Sequence, residues 1–161
     1  MDAPAASAEA TAMQKESYGR QVLEGKQILL AEDHPLNAEI ATKILQKVGC
    51  VVTWVKNGQE CVDLFEHSSL GDYDIILMDI RMPVMDGIDA TKAIRSLPRR
   101  DAQTVPVIAM TANAFEEDVK ACLDAGMNDH LAKPVNPQLL YDTLQKHLSS
   151  KDCLFLAKKM L

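Results

Sequence analysis

From Lys26 onward, a short apolar segment and then an amphipathic segment alternate about five times along the chain. Nearly unbroken apolar runs of this length are typical of strands buried on both faces, and apolar residues spaced three and four apart indicate helices. Strands that alternate with helices form a parallel sheet covered on both faces, and right-handed crossovers leave few topologies. The pattern therefore predicts an α/β fold with a doubly wound, five-stranded parallel sheet and five helices.

The predicted strands are, in chain order, Gln27–Glu32, Cys50–Val55, Asp74–Met78, Val105–Met110 and Asp129–Ala132. The predicted helices follow Pro35, begin near Gly58, Asp86 and Ala114, and begin at Pro137 with an end near Leu148. Proline suits a first helical position, and Asn136 before Pro137 suits a helix cap, whereas Gly49 and Gly126 suit helix ends. The first helix should bury an apolar face that includes Leu36, Ile40 and Leu45, and the last should bury Leu139, Leu140, Leu144 and Leu148.

At 161 residues the chain is long enough for one domain with a sizeable core and too short for two ordinary ones. We expect residues 1–25, rich in Ala, Ser and Glu at first, to be a linker or a disordered segment, with a short helix around Met13 to Leu23 as the alternative. Residues 26–148 should form the domain, and residues 149–161 a tail with no assigned role.

Composition excludes several classes of function. A formal net charge of -6, a pI near 5.2 and the lack of a basic stripe argue against direct nucleic-acid binding. No apolar run approaches the roughly 20 residues that span a bilayer, and the start lacks the order of a signal peptide, so we expect a cytoplasmic segment without membrane contact. Cys50, Cys61, Cys122 and Cys153 show no metal-ligand spacing and are interpreted as small buried residues, with disulfides as the alternative. Trp54 is interpreted as a packing residue.

Side chains of particular chemistry follow four of the predicted strands. They are Glu32 with Asp33, Asp79, Thr111 and Lys133. The carboxyl ends of parallel strands meet at one edge of a sheet, and binding sites form there where the strand order reverses. Each residue alone would be an ordinary turn or cap residue, but their joint occurrence predicts a site. Asp74 and Asp86 lack such support, and we interpret them as surface or cap residues.

The chemistry of this set is that of a metal-assisted phosphoryl acceptor. Clustered carboxylates repel unless a cation or a proton intervenes, and oxygen ligands without His or Cys favour Mg²⁺ or Mn²⁺. Asp79 is the candidate nucleophile because its strand is central, while the metal and Lys133 would offset negative charge. Thr111 could donate its hydroxyl to a phosphoryl oxygen, and the small Ala112 leaves room beside it. Pro134 holds the backbone of Lys133 extended, and a cis peptide would aim the ammonium into the site.

Four segments carry a resemblance to a known family: Ile28 to Asp33, Met78 to Gly87, Met110 to Ala114, and Leu131 to Pro134. Over about Lys26 to Leu148 the chain resembles the receiver domain of two-component response regulators. The resemblance implies a flavodoxin-like (CheY-like) sheet of strand order 2-1-3-4-5. It also implies Asp79 as the phosphoacceptor, with Mg²⁺ held by Glu32, Asp33, Asp79 and the backbone carbonyl of Arg81.

The amino-acid sequence of two segments, Ala31 to Asn37 and Asp79 to Gly87, is similar to that of receivers in hybrid sensor histidine kinases. This implies phosphoryl exchange with a histidine kinase or a histidine phosphotransfer protein. It makes the cytoplasmic part of a membrane-bound hybrid kinase an alternative location, and it leaves a weak homodimer open. Receivers catalyse self-phosphorylation and weak autodephosphorylation, so whether the chain counts as an enzyme stays uncertain.

One position departs from the commonest form of the family. Three residues before the lysine, the switch position often holds Tyr or Phe, and here it is His130. His130 either places a titratable group near the output face or is a partly exposed strand residue, and both interpretations stay open. Phosphorylation adds about -1.5 to -2 charges at neutral pH. We expect it to draw Thr111 and Lys133 inward and to shift the loop after the fourth strand together with the helix-four, strand-five and helix-five surface.

Three alternatives remain. An Mg²⁺-dependent aspartyl-phosphate phosphatase would need a second Asp two residues after the nucleophile, where this chain has Arg81. A flavodoxin-like electron carrier would need a Ser/Thr-rich loop after the first strand, and the sequence from Asp33 to Asn37 does not provide one. A receiver-like binding module independent of phosphorylation is disfavoured by the complete acceptor set.

Overall fold

The computed structural model describes residues 22–112 and 116–160. This part contains five strands: β1 (Gln27–Ala31), β2 (Val51–Val55), β3 (Ile75–Asp79), β4 (Val107–Thr111) and β5 (Asp129–Ala132). It contains six helices: α1 (Pro35–Gln46), α2 (Gly58–His67), α3 (Gly87–Arg95), α4 (Arg100–Thr104), α5 (Glu116–Ala125) and α6 (Pro137–Met160). The expectations for residues 1–21, including the alternative helix from Met13, lie outside the described residues.

All strand pairs are parallel, and the order across the sheet is β2-β1-β3-β4-β5. The predicted fold and strand order are therefore confirmed. Strands β3 and β4 are buried along their whole length and β1 nearly so, as expected for central strands of a sheet covered on both faces. The strand order reverses between β1 and β3, and the carboxyl ends of these two strands lie side by side there.

Local hydrogen bonds explain where several helices begin. The side chains of Asn57 and Asp86 accept from backbone N–H groups three residues ahead, which caps α2 and α3. Asn136 accepts from the N–H of Leu139 at 3.1 Å and caps α6. The predictions that Asp86 and Asn136 cap helices are confirmed.

Two layers of side chains cover the sheet. On one face, residues of α1 and α6, among them Leu45, Leu140 and Leu144, pack against β1, β3 and β4. On the other face, helices α2 to α5 contribute Phe65, Ile94 and others. Leu23 is fully buried in the first layer, so packing begins before the predicted domain start at Lys26.

The helices differ from prediction in three respects. Helix α4 was not predicted, because the polar segment after Pro98 has no apolar periodicity; its buried residue is Ala102. Helix α6 continues to Met160, beyond the predicted end near Leu148. Leu36, Ile40 and Leu139, expected to face the core, are exposed. The helices form where the apolar periodicity predicted them, but the buried face of α1 and of α6 contains fewer residues than its apolar face.

Cysteine burial agrees with the sequence interpretation for three of the four thiols. Cys50, Cys61 and Cys122 are buried, and Cys153 lies where side chains are not described. Burial raises the pKa of Cys50 to about 11 and that of Cys61 to about 12, so neither is a reactive thiolate at neutral pH. Across the described ranges, no helix combines the length and apolar character needed to cross a membrane.

Candidate functional site

Three carboxylates meet at the carboxyl edge of the sheet. Glu32 and Asp33 follow β1, and Asp79 is the last residue of β3. One carboxylate oxygen from each lies within 4.8 Å of the others. Glu32 is 1% exposed and Asp79 4% exposed, so two of the three charges are removed from bulk water. Such a cluster stores repulsion that a positive charge must offset.

Lys133 supplies part of that positive charge. Its Nζ atom donates to Glu32 Oε2 and to Asp79 Oδ2, both at 2.8 Å. Its backbone N–H donates to the carbonyl of Thr111 at 2.8 Å, which ties the end of β5 to the end of β4. The Lys133–Pro134 peptide bond is cis, as the sequence suggested. The ammonium lies in the site, where it bridges two acids.

The protonation equilibria reflect this arrangement. Burial raises the pKa of Asp79 to about 6; the hydrogen bond from Lys133 opposes the rise, and the charges of Glu32 and Asp33 add to it. Burial alone would lower the pKa of Lys133, but its hydrogen bonds to Asp79 and Glu32 outweigh this effect and raise it. At neutral pH, Asp79 is therefore mostly ionised and Lys133 charged.

The acidic cluster fits a divalent cation. Asp33 Oδ1 is buried without a hydrogen-bond partner in the described part of the chain, so this oxygen is available to bind a cation. Three carboxylates and the ammonium of Lys133 leave two negative charges uncompensated. Carboxylate oxygens are the donors that Mg²⁺ and Mn²⁺ prefer.

The other predicted site residues lie around this cluster. Thr111 is buried at the end of β4, and Ala112 follows it as an exposed residue. Arg81 is exposed in the loop between β3 and α3, and its carbonyl as a metal ligand stays a prediction. His130 lies on the edge strand β5 with its side chain 40% exposed and its Nδ1 4.0 Å from Asp129 Oδ1. Its role as a switch also stays a prediction.

Two residues that shape the site were not assigned to it from sequence. Gly87 N donates to the carbonyl of Ile80, and a Cβ at Gly87 would overlap the carbonyl oxygen of Asp79. Only glycine allows that close approach behind the acid, for which the Asp86-Gly87 turn was an available signal. Trp54, interpreted as packing, donates its indole N–H to the carbonyl of Glu32 at 2.7 Å. No sequence pattern indicates that bond.

Comparison with known proteins agrees with this geometry. The family model of the response regulator receiver domain matches residues 28–145. The chain belongs to this family. It is therefore a receiver domain of two-component signalling, and the predicted family is confirmed. Its carboxylate cluster and lysine lie at the edge of the sheet where this family was expected to place its site.

The chain is similar to a hybrid histidine kinase and to a receiver domain of known structure. Over 135 residues the chain is 36% identical to hybrid signal transduction histidine kinase I of Dictyostelium discoideum, covering 83% of this chain and 8% of that protein. The chain thus spans a small part of that relative. It is 43% identical to the receiver domain of a sensor histidine kinase from Pseudomonas aeruginosa, with a TM-score of 0.70 over 78% of this chain and 98% of that one. That receiver was solved with a magnesium ion coordinated in the active-site cleft.

A second receiver structure includes a partner. It is the receiver domain of a Saccharomyces cerevisiae response regulator, co-crystallised with a histidine phosphotransfer protein. The identity is 29% and the TM-score 0.70, over 80% of this chain and 92% of that one. A receiver of this fold can therefore present a surface to a histidine phosphotransfer protein.

Proposed function

We propose that this receiver domain accepts a phosphoryl group on Asp79, in an Mg²⁺-dependent transfer from a histidine donor. The observation that carries the proposal is the convergence of Asp79, two further carboxylates and Lys133 in one partly buried cluster. The magnesium in the similar Pseudomonas receiver supports the metal, and the yeast complex supports the class of donor.

The residues divide the chemistry between them. An Asp79 oxygen attacks phosphorus, the bond from phosphorus to the donor nitrogen breaks, and the freed imidazole takes a proton from solvent. Lys133 already contacts Asp79 and can balance the negative charge of the incoming oxygens. Mg²⁺ or Mn²⁺, held by Glu32, Asp33, Asp79 and the Arg81 carbonyl, would supply charge that offsets repulsion between carboxylates and phosphoryl oxygens. The hydroxyl of Thr111 and the space over Ala112 would receive the bound group.

An apolar surface beside the site is suited to the donor protein. Leu36 is 67% exposed and Ile40 48% exposed on the first turns of α1. Ile40 also lines a pocket with Lys133, Pro134 and Val135. Exposed apolar side chains grouped next to a reactive centre are typical of a partner-binding surface. We assign this surface to a histidine kinase or a histidine phosphotransfer protein, whose histidine would then reach Asp79.

The proposal extends to the longer protein that would contain this domain. Residues 26–148 would act as the receiver module of a larger cytoplasmic assembly, with a hybrid histidine kinase as the candidate parent protein. The 36% identity to a hybrid kinase supports that origin. Output would pass through the α5, β5 and α6 surface, where His130 lies.

The decisive experiment measures the intact mass of the protein after incubation with acetyl phosphate, with and without Mg²⁺. We expect an Mg²⁺-dependent gain of one phosphoryl group. Asp79→Asn should abolish the gain, whereas Asp142→Asn, an exposed change on α6, should preserve it. A protein that gains no phosphoryl group from acetyl phosphate or from a phosphorylated histidine protein would contradict the proposal and favour a phosphorylation-independent binding module.

A further inference from the structure

A side chain of the edge strand reaches the backbone of the acidic loop. Trp54 lies on β2 with 38% of its surface exposed, yet its polar tip points inward, and Nε1 donates to the carbonyl oxygen of Glu32 at 2.7 Å. The Nζ atom of Lys56 lies over the indole ring, 5.7 Å from its centroid. The bond links β2 to the residue that carries one of the clustered carboxylates.

This bond controls the direction in which the chain leaves β1. The regular pairing of β1 with β2 ends at Ala31 and Val55, and one further backbone bond joins the N–H of Glu32 to the carbonyl of Val55 at 3.0 Å. Beyond that point β2 turns into α2, and the Trp54 side chain supplies the donor for the Glu32 carbonyl. Both peptide units that flank the Glu32 Cα are therefore fixed by β2.

The Glu32 carbonyl belongs to the same planar peptide unit as the N–H of Asp33. Fixing that plane restricts the backbone position and orientation from which the Asp33 side chain extends. Asp33 Oδ1 is the buried oxygen without a hydrogen-bond partner in the described part of the chain, so no protein donor holds this carboxylate through that atom. The other oxygen, Oδ2, lies 3.8 Å from Nε2 of the exposed His34 side chain. With only that long contact at its carboxylate, Asp33 is positioned mainly by its backbone.

We propose that Trp54 is a positioning residue for the divalent cation: its indole N–H holds the Glu32–Asp33 peptide so that the Asp33 carboxylate is directed into the metal site. The inference rests on the proposed Mg²⁺-dependent function and adds a residue outside the ligand set. Groups that orient metal ligands affect metal affinity even though they never touch the ion. A Trp that only covered the sheet edge would affect folding stability instead.

The test is Mg²⁺ affinity, measured by isothermal titration calorimetry on the full chain, with the melting temperature in EDTA measured in parallel. Two replacements remove the donor: Trp54→Phe, which keeps an aromatic ring, and the analogue benzothienylalanine at position 54, which keeps the bicyclic shape and replaces N–H by sulfur. We expect both to raise the Kd for Mg²⁺ by about three- to tenfold, the effect of losing one hydrogen bond that orients a ligand. At saturating Mg²⁺, phosphorylation of Asp79 by acetyl phosphate should recover.

The control is Val51→Ala, at the opposite end of the same strand, where the side chain is 47% exposed. It should lower the melting temperature in EDTA without changing the Kd for Mg²⁺. An unchanged Kd in both Trp54 replacements, or a rise in the Phe variant that the analogue does not reproduce, would overturn the inference while leaving the proposed function intact. Wild-type protein that binds no Mg²⁺ would overturn both.

Discussion

Burial of Asp79 beside Glu32 and Asp33 raises the pKa of its carboxyl group to about 6, even though Lys133 donates a hydrogen bond to it. A carboxylate of this kind is a better nucleophile than one that is tied up by several donors, but the folded protein must hold it against its own repulsion. The carboxylate cluster is therefore expected to lower the stability of the metal-free domain.

Asp79→Asn should raise the free energy of unfolding in EDTA, and the gain should depend on pH. Because the folded-state pKa lies above the ordinary value of 3.8, folding retains a proton on Asp79 that the unfolded chain releases. The stability this provides is present below about pH 4 and lost as pH rises through about 6. The difference between variant and wild type should grow to about 1–3 kcal/mol at pH 7, as measured by urea unfolding.

Asp142→Asn is the matched control for that series, because it changes an exposed acid on α6 by the same atoms. Its difference from wild type should stay within about 0.5 kcal/mol at every pH. A difference for Asp79→Asn that stayed flat between pH 4 and 7 would mean that the carboxylate is not strained in the folded protein.

At the scale of elements, Arg99 joins α2 to the unpredicted helix α4. Its guanidinium donates to the carbonyls of Phe65, Ser68 and Ser69 at 2.6, 2.9 and 3.1 Å. It lies 4.6 Å from the Phe65 ring centroid and forms two hydrogen bonds with Asp101. Carbonyls at and beyond the end of α2 thus obtain the donors that the helix itself cannot supply.

Arg99→Met should lower the free energy of unfolding by about 2–4 kcal/mol, because the side chain is only 13% exposed, the Ser68 carbonyl would lose the Arg99 donor and Asp101 would lose its ion-pair partner. Arg100→Met removes the neighbouring, exposed arginine and should cost less than about 0.5 kcal/mol. Equal effects in urea unfolding would show that the contacts of Arg99 contribute no more than a surface charge does.

The loop between β3 and α3 contains a strained residue. Val84 has a φ of 69° and is 82% exposed, and the N–H of Met85 donates to the carbonyl of Pro83 at 2.8 Å. A β-branched residue is rarely found in this conformation. The strain lies in the loop that leads directly away from Asp79.

Val84→Gly should raise the free energy of unfolding by about 0.5–1 kcal/mol, because relief of the left-handed strain exceeds the entropy that glycine gains in the unfolded chain. Val84→Ala keeps a Cβ and with it most of the strain, so its melting temperature should stay near that of wild type. If both variants gained stability equally, removal of an exposed apolar side chain would explain the result instead.

At the scale of the whole molecule, Lys133 and Thr111 connect the carboxylate cluster on β1 and β3 to β4 and to the edge strand β5. The Lys133 ammonium contacts Asp79, and its N–H bonds the carbonyl of Thr111, the last residue before the loop that leads to α5. Under the proposed function, charge added at Asp79 would bias the position of this loop and of β5.

Thr111→Ala should leave the phosphorylation of Asp79 largely intact but weaken the chemical-shift changes that phosphorylation produces at residues 112–132, observed by NMR. The reason is that the Thr111 hydroxyl would contact the phosphoryl group on Asp79 and so couple phosphorylation to the position of the loop. Thr53→Ala, a change on the far edge strand β2, should leave those shift changes as in wild type. Full-sized changes in Thr111→Ala would remove the hydroxyl from the switching path.

The alternation of elements, the caps at Asp86 and Asn136, and the set of polar residues at the strand ends could all be predicted from the sequence. These features depend on interactions within a few residues, or on the rule that parallel strands end at one edge. Tertiary structure alone decided that Leu36 and Ile40 are exposed, that Arg99 reaches Phe65 and that Trp54 bonds Glu32. Such contacts join residues 22 to 34 positions apart, and their formation depends on the distance and direction between packed elements, which periodicity does not encode.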